Sequence, residues 1–185
     1  GSADRTREIA ESFGAHFHTQ AFAGYSAQKA AAIALATSEW IMLLDSDESL
    51  DIAAQQAVHA ALTLNPAVKG YRIKRRELIF WRYQHPFSKH NRFLRLFERA
   101  SARMSSHAVH ESVLVTGEIK DLAGYIIHDG DRSIEQKLTK LNQYSSLAAR
   151  GKRHHRQWSI TLRLTLYPVW YFFRAYILRR QFLNG

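Results

Sequence analysis

Residues 38–49 read SEWIMLLDSDES, and the fold turns on how that stretch is taken. Residues 40–44 (WIMLL) are a short unbroken apolar run, the signature of a strand buried on both faces. Three carboxylates follow at once, Asp45, Asp47 and Glu48. A buried strand that ends in acids directs them out of the sheet, into the crevice where open α/β sheets bind their ligands. Asp45 and Asp47 stand two apart, so one turn can aim both at a hard cation such as Mg²⁺ or Mn²⁺. The alternative is a solvated strand-to-helix turn in which Ser49 or Asp51 caps the following helix.

Composition bounds the answer independently. The 185 residues are 46% hydrophobic and 23% charged, enough for one folded domain with a sizeable core. There is no cysteine, which suits a reducing compartment and leaves only carboxylates, histidines and carbonyls for a metal. No apolar run is long and charge-free enough to span a bilayer, and the first residues do not read as a secretory signal. The formal net charge of +10 lies wholly in the last third. After Glu135 there are ten basic residues and no acid, whereas the residues up to and including it balance 16 against 16. A neutral body with a basic tail points the tail at an anionic partner.

Taken in order, the chain alternates helix and strand. Residues 4–13 have Ile9, Ala10 and Phe13 at helical spacing, with Asp4 to cap and Gly14 to stop the helix. Residues 15–18 read as a short strand whose His16 and His18 are structural. Residues 25–36 form an alanine-rich helix leading into the Trp40 strand, a strand–helix–strand unit that demands parallel pairing. A helix over 52–64 closes at Asn65-Pro66. Residues 70–76 alternate Tyr71 and Ile73 against Arg72 and Lys74, and residues 92–97 alternate Phe93, Arg95 and Phe97 against Leu94 and Leu96. Between them, residues 78–91 are irregular and aromatic, suited either to a sugar acceptor or to an ordinary packed loop. A strand over 112–116, another over 124–128 and a helix over 133–150 complete the body, with Asp129 and Asp131 read as caps.

Five segments carry a resemblance: Gly1-Ser2-Ala3-Asp4-Arg5-Thr6, Gly24 through Lys29, Asp45-Ser46-Asp47 with Glu48, Val109-His110-Glu111, and Ile127-His128. In type and order they resemble family 2 glycosyltransferases of the GT-A fold, close to bacterial enzymes that add a sugar to the lipopolysaccharide inner core. The resemblance implies a Rossmann-like mixed α/β sheet over residues 1–150 whose first strand precedes residue 1, followed by a helical tail over 151–185. It implies a nucleotide-diphosphate sugar as donor, UDP-sugars first among them, and Mg²⁺ or Mn²⁺ held by Asp47 and His128. Asp45 then lies near the ribose or reaches the metal through water, and Lys29 faces the base or a phosphate, against the alternative of a surface lysine. Glu111 takes the position of the base for an inverting displacement; the residues alone make His110-Glu111 a surface pair. The acceptor implied is a lipid-linked or lipopolysaccharide glycan.

The tail runs from Lys152-Arg153-His154-His155-Arg156 into eight aromatic residues between Trp158 and Phe182, with Pro168 marking a break. Aromatic belts and arginines suit an interfacial helix pair at an anionic membrane surface, which places the protein in the cytoplasm at the inner face of the membrane. The alternative is a helix packed on the body. Aromatics this dense are poor stacking platforms, and nucleic acid is not expected as a partner. A sheet lacking its first strand would leave an open edge for self-association. Two other functions stay open on the residues alone: a phosphatase of haloacid dehalogenase type, with Asp45 as nucleophile, and a non-catalytic membrane-surface module.

Overall fold

A computed structural model describes residues 4–64, 67–104, 113–130, 133–151 and 158–184. Its centre is a mixed sheet in the order β1-β5-β3-β8-β2, built from β1 (Trp40–Met42), β2 (Glu48–Leu50), β3 (Val68–Ile79), β5 (Asn91–Glu98) and β8 (Glu118–His128). Among the described strands only β3 and β8 run parallel; β1 with β5, β5 with β3, and β8 with β2 are antiparallel. A two-residue β4 (Arg82–Tyr83) folds back on the end of β3, and β6 (Ala102–Met104) pairs with β7 (Val113–Val115) in a separate ribbon. This is a Rossmann-like mixed sheet with flanking helices and a C-terminal helical segment, consistent with the GT-A architecture.

Residues 40–43 of the apolar run are covered on both faces, whereas Leu44, beyond the end of the strand, is exposed. Ile41 packs with Phe97 and Val113 beneath Ile33 of α2 (Tyr25–Leu35). Trp40 and Met42 turn the other way, to Tyr71, Leu96 and Val58 of α3 (Ile52–Leu64). The first helix, α1 (Thr6–Ser12), ends as its sequence predicts: Gly14 takes φ 76°, its N–H meets the Glu11 carbonyl, and the Ala15 N–H meets the Ala10 carbonyl. Asp4 accepts from the Thr6 backbone at 3.1 Å.

Four expectations change. Residues 15–24 hold no strand, and those four expected strand residues are exposed; extended chain with no neighbour to pair with has no ladder to fix it. The parallel unit expected around α2 is therefore absent, because β1 finds its only described partner in antiparallel β5. The last strand begins at Glu118 rather than Gly124, its polar first half concealed in the sequence by Lys120 and Asp121. Pro168 sits inside α5 (Trp158–Phe173), which continues through a π-helical turn at Arg174–Leu178 and a final 3-10 turn at Gln181–Asn184. The carbonyl that Pro168 leaves without its helix bond belongs to Leu164, a residue 72% exposed.

The caps are legible in part. Asp51 accepts from the Ala54 N–H at 2.8 Å, as an N-cap should, and from the Tyr125 N–H at 3.0 Å. The fourth helix, α4 (Ile134–Gly151), is capped by the Ser133 hydroxyl, which accepts from the Gln136 N–H at 3.2 Å. Asp131 lies outside the described residues.

Candidate active site

The acidic turn between β1 and β2 is held by its own backbone and by the end of β8. The Glu48 N–H donates to the Asp45 carbonyl at 3.0 Å, the Asp45 N–H to the Glu48 carboxylate at 3.1 Å, and the Asp129 N–H to the Asp47 carbonyl at 2.8 Å. These bonds split the three acids. Asp45 and Glu48 point to the sheet, and Asp47 points to β8.

On the sheet side Asp45 meets Lys29 of α2 at 2.9 Å through one oxygen and Arg95 of β5 at 3.0 Å through the other. Burial of the Asp45 carboxyl works to raise its pKa; the Lys29 hydrogen bond and the charge and hydrogen bond of Arg95 outweigh it and hold the group below the usual carboxylate range. Arg95 also reaches Glu48 at 2.6 Å, and Glu48, whose side chain is fully buried, takes Arg75 at 3.2 Å as a second partner. Two arginines on one buried carboxylate leave no isolated charge.

Arg95 points there because β5 bulges. Tyr71 pairs with Leu96 and the next residue, Arg72, with Leu94, so Arg95 is the extra residue between the two pairs. A bulge re-aims the side chain it carries, and here it sends a guanidinium, rather than a core apolar group, beneath the acidic turn.

On the other side His128 closes the set. Its Nε2 stands 3.2 Å from Asp47, its Nδ1 contacts Glu77, and Glu77 in turn takes Arg75 at 2.7 Å. The register of the parallel pair puts Glu77 directly opposite His128. Eight side chains thus form one continuous path: Lys29, Asp45, Arg95, Glu48, Arg75, Glu77, His128 and Asp47. Beside it opens a cleft of about 410 Å³, lined among others by Arg75, Glu77, His128, Lys137 and Gln181.

The structure thus gathers four of the five expected site residues, Lys29, Asp45, Asp47 and His128, around one turn. Glu111, with His110, lies outside the described residues. Glu48 stands in the acidic triplet read from sequence without a role of its own, whereas Arg95, Arg75 and Glu77 are given no site role there. The available signals were Arg95 alternating with two phenylalanines, and Arg75 and Glu77 continuing the core face of Tyr71 and Ile73.

The donor chemistry can be tested for a cation. Two ligands of one octahedral ion, each about 2.1 Å from it, lie about 3 Å apart, and the Asp47 carboxylate and His128 Nε2 are 3.2 Å apart. Glu77 on the opposite ring nitrogen is the carboxylate that commonly fixes the tautomer of a metal-binding histidine. Because it engages the far side of the ring it adds no third ligand, and among the described residues no three acidic or histidine side chains converge. The pair fits a cation that takes its remaining ligands from water and a bound diphosphate.

Residues 1–111 match the family described as glycosyl transferase family 2. An uncharacterized glycosyltransferase of Rickettsia felis is 31% identical over the whole of this chain and 69% of its own length. A second from Rickettsia conorii is 30% identical over the whole chain and 70% of its own. The lipopolysaccharide core biosynthesis glycosyltransferase LpsC of Rhizobium meliloti is 28% identical over the whole chain and 70% of its own. The chain belongs to glycosyl transferase family 2, and is an enzyme of sugar transfer from a nucleotide-sugar donor.

Proposed function

We propose that the protein is an inverting, metal-dependent glycosyltransferase that moves a sugar from a nucleotide diphosphate, UDP first among the candidates, to a lipid-linked or lipopolysaccharide core glycan. The observation that carries this reading is the meeting of Asp47 with His128 Nε2, backed by Glu77, where His128 and Glu77 line the cleft. The acceptor class is that of the Rhizobium relative, a lipopolysaccharide core biosynthesis glycosyltransferase.

Asp47 and His128 would hold Mg²⁺ or Mn²⁺, which when bound neutralises the departing diphosphate. Asp45 is fixed by Lys29 and Arg95 with both carboxylate oxygens engaged. That suits an acceptor of ribose hydrogen bonds better than the phosphatase nucleophile, which needs a free oxygen. Lys29 stands where it can exchange part of its bond to Asp45 for a donor phosphate. Glu111 takes the proton from the acceptor hydroxyl as that oxygen attacks the anomeric carbon. The bond from that carbon to the diphosphate oxygen breaks, and its electron pair leaves with the nucleotide.

The partners that go with this reading are the nucleotide sugar, the glycan acceptor, an anionic membrane surface met by the tail at the inner face of the membrane, and a second copy across the open edge of β1. Calorimetry with UDP and Mn²⁺ tests the site. Asp47→Ala should abolish Mn²⁺-dependent nucleotide binding with the fold intact, because a turn carboxylate 46% exposed contributes little to packing. Unchanged metal affinity in that variant would remove Asp47 from the site.

A further inference from the structure

The tail does not hang free of the site. The Lys89 N–H donates to the Arg179 carbonyl at 3.0 Å, the His85 N–H to the Asn184 side chain at 2.7 Å, and the Arg179 guanidinium to Asn91. Gln181, between these attachments, lines the same cleft as Glu77 and His128. The segment that holds the tail also presents exposed aromatics of its own: Trp81 is 80% exposed and Phe87 74%. In the tail, Val169, Trp170, Phe172, Phe173, Ile177 and Leu178 are exposed as well. Two separate elements, bonded to each other at the rim of one cleft, both put large apolar side chains into solvent.

Resting on the transferase reading above, we propose that these elements form one docking surface for an anionic phospholipid bilayer, made by α5 with its π-turn and by Trp81 and Phe87, so that the cleft opens against the membrane. Charge selects this occupant. Arg82 and Lys89 flank the loop aromatics, Arg163, Arg174, Arg179 and Arg180 those of the tail, and no acid follows Glu135. A two-fold contact with a second copy would set this basic surface against itself. Aromatic side chains among arginines match the headgroup layer, where ring and cation are both solvated. Among the described residues no helix is long and apolar enough to cross a membrane, so the fit is to its surface.

The test is co-sedimentation with vesicles of phosphatidylcholine, with and without phosphatidylglycerol, for the full chain and two double variants. Trp81→Ala with Phe87→Ala alters the loop alone, and Trp170→Ala with Phe173→Ala the tail alone. The unaltered chain should bind only the anionic vesicles, and each double variant should bind them about tenfold more weakly. UDP and Mn²⁺ binding should stay unchanged, so a failure of docking is separated from a failure of the nucleotide site. Brominated lipid should quench tryptophan fluorescence less in the Trp81 variant than in the unaltered chain. Equal vesicle binding by the loop variant, equal binding to uncharged vesicles, or a dimer that the tail variant dissociates while neither protein binds vesicles would overturn the proposal.

Discussion

Arg95 shows how one residue organises the site. It is 5% exposed and answers both Asp45 and the fully buried Glu48. Removing one member of a buried ion pair leaves the other charged and desolvated. Arg95→Met should therefore destabilise the protein by about 3 kcal/mol, the lower end of that range because Arg75 still reaches Glu48. Urea unfolding measures it, and Arg95→Met combined with Glu48→Gln should cost less than the two singles together. Additive losses would mean that the two side chains are not coupled. The same residue marks what the sequence conceals. Asp45, Asp47 and His128 could be picked out because they stand at strand ends within recognisable segments. Arg95 could not, because strict alternation places it on an apolar face, and only the slip between the Tyr71–Leu96 and Arg72–Leu94 pairs explains a charge there. Such a slip depends on the partner strand, which local periodicity does not encode.

Between elements, α3 and β8 meet closely at Gly124. The pairing of β3 with β8 steps from Arg72–Asp121 to Lys74–Tyr125, so β8 carries extra residues there, and Gly124 among them takes φ 82°. A Cβ on Gly124 would stand 2.2 Å from the Ala54 nitrogen and 2.6 Å from the Asp51 carboxylate. Both are parts of the helix cap, and neither can retreat without losing it. Gly124→Ala should lower stability by about 3 kcal/mol or more, combining a strained φ with overpacking; a thermal midpoint within a degree or so of the unaltered protein would contradict this. This junction was invisible in the sequence, where Gly124 reads as the start of a strand, although Asp51 was legible as a cap. A second contact, between His90 and Tyr125, has ring centroids 5.0 Å apart. Burial lowers the His90 pKa, and the charges of Arg76 and Lys74 add to it against the opposing pull of Ser88 and Glu77. Because the folded-state value is depressed, the unfolded chain takes up its proton first as pH falls through about 6.5. Stability from this group is thus fully present above that pH and is lost on acidification. Denaturant midpoints compared at neutral and mildly acidic pH should converge in His90→Gln; a pH dependence as steep as in the unaltered chain would assign it to other groups.

At the scale of the whole molecule the sheet is closed unequally. The helix–strand alternation and the doubly covered Trp40 strand were readable from apolar spacing, but the order of strands was not, since pairing between distant segments leaves no local mark. The order observed puts β1 at an edge, hydrogen-bonded only to β5 among the described strands. The Leu43 N–H donates to the Arg95 carbonyl and the Arg99 N–H to the Glu39 carbonyl, so the odd-numbered residues of this stretch face β5. By the alternation of an antiparallel ladder, the N–H groups of Trp40 and Met42 point away from the sheet. An edge of this kind, with apolar side chains and bare backbone groups, is a template for another strand. We expect reversible self-association in solution through β1, seen as a rise of sedimentation coefficient with protein concentration. Met42→Pro should abolish it by removing one outward donor without breaking a bond to β5. Met42 also packs beside Tyr71, Leu96 and Ile73, so Met42→Ala is the control that loses the side chain and keeps the N–H. If the alanine variant still associates and the proline variant is monomeric, the backbone edge is the contact. If both associate equally, it lies elsewhere, with the apolar tail the next surface to alter.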